Sequence, residues 1–249
     1  MRHYRRRIFI TGNSLTGNSV SAVSIEFDAH TVDRFLRKHK SNLTPHLINK
    51  LRALFNFFHD NSDLARVPDG KQVPVGSDQH LMQLMDRFIR GRENPEISTS
   101  ATVSDPIVEN ILLDYFGVDE EQEEEAVNWH RNAMAAENII GSLLEAYIAA
   151  NLEPHGWIWC AGEVARSIDF IYPAKNQSWI ALQIKNRSNT ENSSSNKVRQ
   201  GTTIEKWYRL NAKNGTTYWS KLKTTAGVEN LNLSDEGFAD FVRRSLGDY

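Results

Sequence analysis

The sequence predicts an α/β protein: a mainly helical region over residues 1–134, then a compact unit of helices and strands over residues 135–249. Three observations carry this. Apolar residues recur at helical spacing through most of the first part. From Ala135 the texture changes to one long helix followed by short β-rich runs separated by turn residues. A chain of 249 residues with 40% hydrophobic content can fill one large core or two small ones.

Taken in order, the start "MRHYRRRIFITG" is basic, but its apolar stretch covers only Ile8 to Ile10, too short for a signal peptide. "TGNSLTGNSVSAVS" reads as turns and strand, because it lacks the lysine of a phosphate loop. "HTVDRFLRKHKS" and "PHLINKLRALFNFFHDN" are helices, the second with Leu47, Leu51, Leu54, Phe55 and Phe58 on one stripe. "SDQHLMQLMDRFIRG" is a helix starting at a Ser77 cap and ending at Gly91. "SDPIVENILLDYFG" repeats the pattern, with Ser104 as cap, Pro106 in the first turn and Gly117 as stop. The acidic run "DEEQEEEAVNWH" opens the next helix, where carboxylates complement the dipole.

"AAENIIGSLLEAYIAANL" continues as a long helix with Ile140, Leu144 and Ile148 every four residues and Gly141 and Glu145 beside them; Pro154 and Gly156 end it. "WIWCAGEV", "SIDFIYP" and "WIALQIKN" are strands. After a polar loop, "KVRQGTTIEKWYRL" suggests a helix with Trp207 and Tyr208 as its core residues, and "TTYWSKL" a further strand. The expected order is α–β–β–β–α–β.

The net charge of −2 argues against a sequence-blind nucleic-acid coat, but it hides an asymmetry. From Asp105 to Glu125 there are nine acidic residues and no Lys or Arg. From Lys175 to Lys223 there are ten Lys and Arg against Glu191 and Glu205, a net of +8 and the footprint of a polyanion-binding face. No run reaches the length of a membrane span. The one cysteine, Cys160, excludes an intrachain disulfide, fits a reducing cytoplasm and reads as a packing residue. The eight histidines lack ligand spacing, so no zinc site is expected, and no nucleophile elbow is present.

Chemistry concentrates in the second and third strand runs. Asp169 stands among Ile168, Phe170 and Ile171, where a carboxylate is costly unless a cation partners it. Gln183 and Lys185, separated by Ile184, share one face of the next strand by period-two alternation. If the strands are neighbours, Asp169 meets both across the ladder. Oxygen ligands beside a lysine suit Mg²⁺, which binds through few protein groups and keeps several waters. The loop "NRSNTENSSSNKVR" then offers Arg187, Asn189, Asn192, Ser194, Asn196, Lys197 and Arg199 directly after that strand. Arginine reads guanine and asparagine reads adenine in the major groove, while Ser and Lys suit phosphates. A plain surface loop has the same composition.

"SIDFIY…ALQIK" resembles the catalytic motif of the PD-(D/E)XK nucleases, with Asp169 as its Asp and Lys185 as its Lys. Gln183 stands where that family usually has Glu or Asp, and "GSLLEAYIAANL" is similar to its first core helix, whose glutamate is here Glu145. The resemblance in motif and order spans Ala135 to Leu222. It implies a mixed sheet flanked by helices and a Mg²⁺ site made by Asp169, Gln183, Glu145 and the backbone carbonyl of Ile184. The neutral Gln183 removes one negative charge, which Glu145 or Glu163 makes up. "ALQIKNRSNTENSSSNKVRQGTTIEKWYR" further resembles type II restriction endonucleases of the SinI group, which cut GGWCC (W being A or T). That likeness implies a cytoplasmic prokaryotic enzyme acting on double-stranded DNA as a homodimer, with a cognate DNA methyltransferase in the same host. A repair or recombination nuclease of the same superfamily, and a DNA-binding protein without catalysis, are the alternatives.

Overall fold

The computed structural model describes residues 26–93, 107, 111, 122–174, 178–188 and 204–247. Three helices begin it. In α1 (Ala29–His39) the Asp28 carboxylate caps the Thr31 N–H at 2.9 Å, and Arg37, Lys38 and His39 sit at the negative end of the dipole. α2 (Pro45–Asp60) starts from a Thr44 cap with Pro45 in its first turn and buries Leu51, Leu54, Phe55 and Phe58 of the expected stripe, with Leu47 half-buried. α3 (Asp78–Glu93) starts at the expected Ser77, whose hydroxyl accepts from the His80 N–H at 3.3 Å. It does not stop at Gly91. That glycine lies inside the helix, where a Cβ would collide with the Gly162 backbone. Gly162 in turn has φ of +75°, and a Cβ there would strike the Arg87 carbonyl. The residue that reads as a stop signal is a point of backbone contact.

α4 (Glu123–Leu152) is 30 residues long, opens on the acidic run as expected, and passes through 134–135 without a break. The expected helix over 104–117 lies outside the described residues except for Ile107 and Ile111, both helical. The basic start and the 11–24 stretch lie outside them too. Among the described residues no helix is long and apolar enough to cross a membrane.

Four strands follow: β1 (Ile158–Trp159), β2 (Phe170–Pro173), β3 (Trp179–Arg187) and β4 (Ile204–Leu210). They lie side by side in that order, antiparallel from β1 to β3, while β3 and β4 are parallel, so the sheet is mixed. α5 (Trp219–Ala226) and α6 (Asp235–Gly247) close the chain.

Two expectations are overturned. The run expected as a helix, "KVRQGTTIEKWYRL", supplies β4 from Ile204 onward, because six of its residues find parallel partners on β3. "TTYWSKL", expected as a strand, gives only an isolated bridge from Thr217 to Leu210 before turning into α5 at Trp219. Trp207 is a core residue as expected, but of a strand; Tyr208 is half-buried, its ring edge-on to Tyr218 at 5.0 Å. The first strand is also shorter than expected, and turns occupy residues 161–164 of "WIWCAGEV".

Each face of the sheet has its own core. One joins Phe35, Leu51, Phe55, Phe58, Leu84 and Phe88 of α1–α3 to Ile171 and Ala181 of the strands. The other joins Leu144, Ile148 and Leu152 of α4 to Phe170, Leu182, Ile184 and Trp207, with Trp219 and Phe238 from the last two helices. Buried Phe57 meets Trp179 edge-on at 5.4 Å, a contact worth about 0.5–1.5 kcal/mol beyond its buried area.

Candidate active site

The β2–β3 register sets the site. Phe170 pairs with Leu182, so Asp169, immediately before β2, comes opposite Gln183. The Asp169 N–H donates to the Leu182 carbonyl at 2.9 Å, and its own carbonyl accepts from the Cys160 N–H at 2.8 Å. Its carboxylate is held from one side only: Oδ2 accepts from the Ile184 N–H at 2.6 Å. Glu145 arrives from α4, with Oε2 accepting from the Trp159 indole N–H at 3.0 Å. Among the described residues, the second oxygen of each carboxylate has no hydrogen-bond partner.

Both carboxyls titrate above their ordinary range. Burial pushes Glu145 up to about 8, with the Asp169 charge adding to it and the Trp159 hydrogen bond and Lys185 opposing. Burial also raises Asp169, to about 6, against the Ile184 hydrogen bond and Lys185. Two carboxyls raised by burial beside a lysine, with the Asp169 charge further raising Glu145, form a site that lacks positive charge.

A cleft of about 1160 Å³ takes in Glu145, Asp169, Gln183 and Lys185 together. Three elements distant in sequence thus bring all four expected catalytic side chains into one cavity. Gln183 is buried and Lys185 half-buried. Glu163, the rival to Glu145, is on the rim: its side chain is 85% exposed, it has φ of +54°, and it pairs with Arg66 at 2.9 Å. Arg187 ends β3 and lies 3.6 Å from Glu137 of α4. Asn189, Asn192, Ser194, Asn196, Lys197 and Arg199 lie outside the described residues. Cys160 is buried as a packing residue, its thiol pushed up by burial.

The donor set suits a hard divalent cation. Among the described residues each of two carboxylates has one oxygen outside its bond to Trp159 or Ile184, and a carboxamide lines the same cleft, which is enough for an ion that retains water ligands. Among the described residues no group of three or more His, Cys, Asp or Glu forms a closed metal cage. Sequence reasoning missed four arginines, Arg66, Arg87, Arg90 and Arg166, that line the same cleft. The spacing of Arg87 and Arg90 on one helix face was visible, but it is equally that of a solvated face.

A SinI restriction endonuclease family model matches residues 36–248. The type II restriction enzyme Eco47I of Escherichia coli is 39% identical over 207 residues, covering 82% of this chain and 89% of that enzyme. The type II restriction enzyme SinI of Salmonella infantis is 34% identical over 223 residues, covering 88% and 96% respectively.

Proposed function

The chain belongs to the SinI restriction endonuclease family, and from that premise we propose a Mg²⁺-dependent enzyme cutting both strands of DNA at a short palindromic site, GGWCC. The observation that carries the reading is the convergence of Glu145, Asp169, Gln183 and Lys185 in one cleft. We read the sheet and its helices as a PD-(D/E)XK core, with residues 135–249 as the nuclease part and residues 1–134 supporting DNA binding and dimerisation.

In this reading Asp169 and Glu145 would hold the ion with the Gln183 carboxamide and the Ile184 carbonyl. Mg²⁺ would supply a polarised water and neutralise charge on the phosphodiester. The Trp159 indole and the Ile184 N–H fix the two carboxylates, so the oxygens presented to the cleft do not rotate away. Lys185 positions the attacking water or takes its proton. Arg187, Asn189, Asn192, Ser194, Asn196, Lys197 and Arg199 read bases and phosphates. A palindrome calls for a two-fold dimer with each subunit cutting one strand. A cognate methyltransferase protects the host DNA, and the enzyme works in a prokaryotic cytoplasm.

Digestion of a plasmid of known sequence with Mg²⁺, followed by end mapping, tests this. Discrete fragments ending at GGWCC support it. Discrete fragments ending elsewhere keep the activity and discard the target. A smear or branch-dependent cutting indicates a repair nuclease, and binding without cutting indicates a DNA-binding protein that has lost catalysis.

A further inference from the structure

On α3 one stripe of polar residues, His80, Gln83, Arg87 and Arg90, repeats at helical spacing. The first three grip the segment around residues 66–69. His80 Nε2 is 2.8 Å from the Arg66 carbonyl. The Gln83 amide clamps the Asp69 backbone at both its N–H and its carbonyl, each at 2.9 Å. Arg87 pairs with the Asp69 carboxylate at 2.8 Å. The fourth, Arg90, has nothing of that segment to grip. Among the described residues its guanidinium bonds only to the Asp86 carbonyl of its own helix at 3.3 Å, it is exposed, and it lines the cleft that holds Asp169 and Lys185.

Its placement is not loose. Gly91, the next residue, is in backbone contact with Gly162, seven residues before Asp169, so Arg90 is set against the carboxylate site through main chain rather than flexible side chains. A strand of DNA presenting a phosphodiester to Asp169 brings its neighbouring phosphates into the same cleft. Among the described residues the Arg90 guanidinium has no carboxylate partner, so it is a fork lining that cleft and able to take two phosphate oxygens.

We propose that Arg90 is a backbone anchor, holding a phosphate next to the one cut and so setting the register of the DNA on the metal site. This rests on the proposed function. Phosphate contacts position without reading sequence, so the loss of Arg90 must fall equally on every duplex.

Binding of wild type, Arg90→Ala and Arg90→Lys to a GGWCC duplex and to a scrambled duplex, with a chelator present and at several salt concentrations, tests it. Arg90→Ala is expected to weaken both duplexes alike by about ten- to a hundredfold and to reduce the slope of log affinity against log salt by about 0.9. Arg90→Lys should keep the slope and recover part of the affinity, with the thermal melt unchanged in both variants. Undiminished binding by Arg90→Ala, or a loss confined to the GGWCC duplex, overturns the anchor. If wild type cuts at GGWCC in either case, the proposed function survives. Failure of wild type to bind either duplex overturns the function and the anchor with it.

Discussion

The two faces of the sheet make different use of the same strand. Toward α4–α6, β3 presents Ile180, Leu182 and Ile184, all apolar and packed with Trp207 and Phe170. On the opposite face Ala181 packs toward α1–α3, and Gln183 and Lys185 follow it at alternate positions and line the cleft, passing from apolar to cationic within five residues. The first face is sealed by aromatic rings: Trp207 and Trp219 stand 5.2 Å apart, and Tyr147 meets Trp219 edge-on at 5.7 Å. The second is sealed by phenylalanines at one end and opens into the cleft at the other. One face is thus packed throughout, while the other carries costly buried charge.

The largest effect expected is on the open face. Asp169→Ala or Lys185→Ala should lower plasmid cleavage by about 10²–10⁴-fold while leaving specific binding largely intact. Near wild-type cutting by either variant would remove that residue from the site. The sealed face should respond in stability instead. Trp207→Ala removes a buried ring whose indole donates to the Tyr218 carbonyl at 2.8 Å. It should cost about 3–5 kcal/mol in urea unfolding, and a loss below about 1 kcal/mol would show that this core can collapse around the gap.

Glu153 ties the faces together and predicts a pH dependence. Burial alone would raise its carboxyl, but hydrogen bonding and charge from Arg92, with Lys50 and the Trp159 N–H, hold it below the ordinary value of 4.5. Its contribution is therefore present above that value and disappears as the pH falls through the lower folded one. Glu153→Gln should cost about 3 kcal/mol at neutral pH, and the two proteins should converge in acid. An equal gap at all pH values would show that shape, not charge, matters there.

The smallest effect concerns Glu145 and Asp169, whose folded values lie above the unfolded ones. Protons on them favour the fold, so their contribution is complete below the ordinary carboxylate range and is lost as pH rises through about 6 and about 8. Metal-free protein should melt a few degrees lower at the top of that window than at the bottom, and Glu145→Gln should flatten the slope. A melting temperature that rises over the same window would contradict the burial of this pair.

The legible parts of the molecule are those decided locally. The cap Ser77, the stripe on α2 and the alternation in β3 follow from neighbours in sequence, and so does the meeting of Asp169 with Gln183. β4 and α5 were exchanged because their character is decided at a distance. Ile204–Leu210 fits a helix as well as a strand until β3 offers it a parallel partner. Trp219 and its Thr and Tyr neighbours favour strands, but the ring is claimed by Trp207, Tyr147 and Phe238. Arg90 could not be distinguished from any exposed arginine, because its role depends on where Gly91 meets Gly162.

Arg92 follows that glycine, and its guanidinium reaches both Glu153 oxygens, at 3.1 and 2.7 Å, and the Trp159 carbonyl at 2.6 Å. Lys50 of α2 joins the same carboxylate. The single Glu153 carboxylate therefore rivets α2, through Lys50, and α3, through Arg92, to the end of α4 and the first strand. In the language of folding cooperativity, the helical part and the sheet cannot open separately without stranding a charge. Slow amide exchange in α2, α3 and β3 should accordingly report one shared opening energy, and a calorimeter should record one transition rather than two.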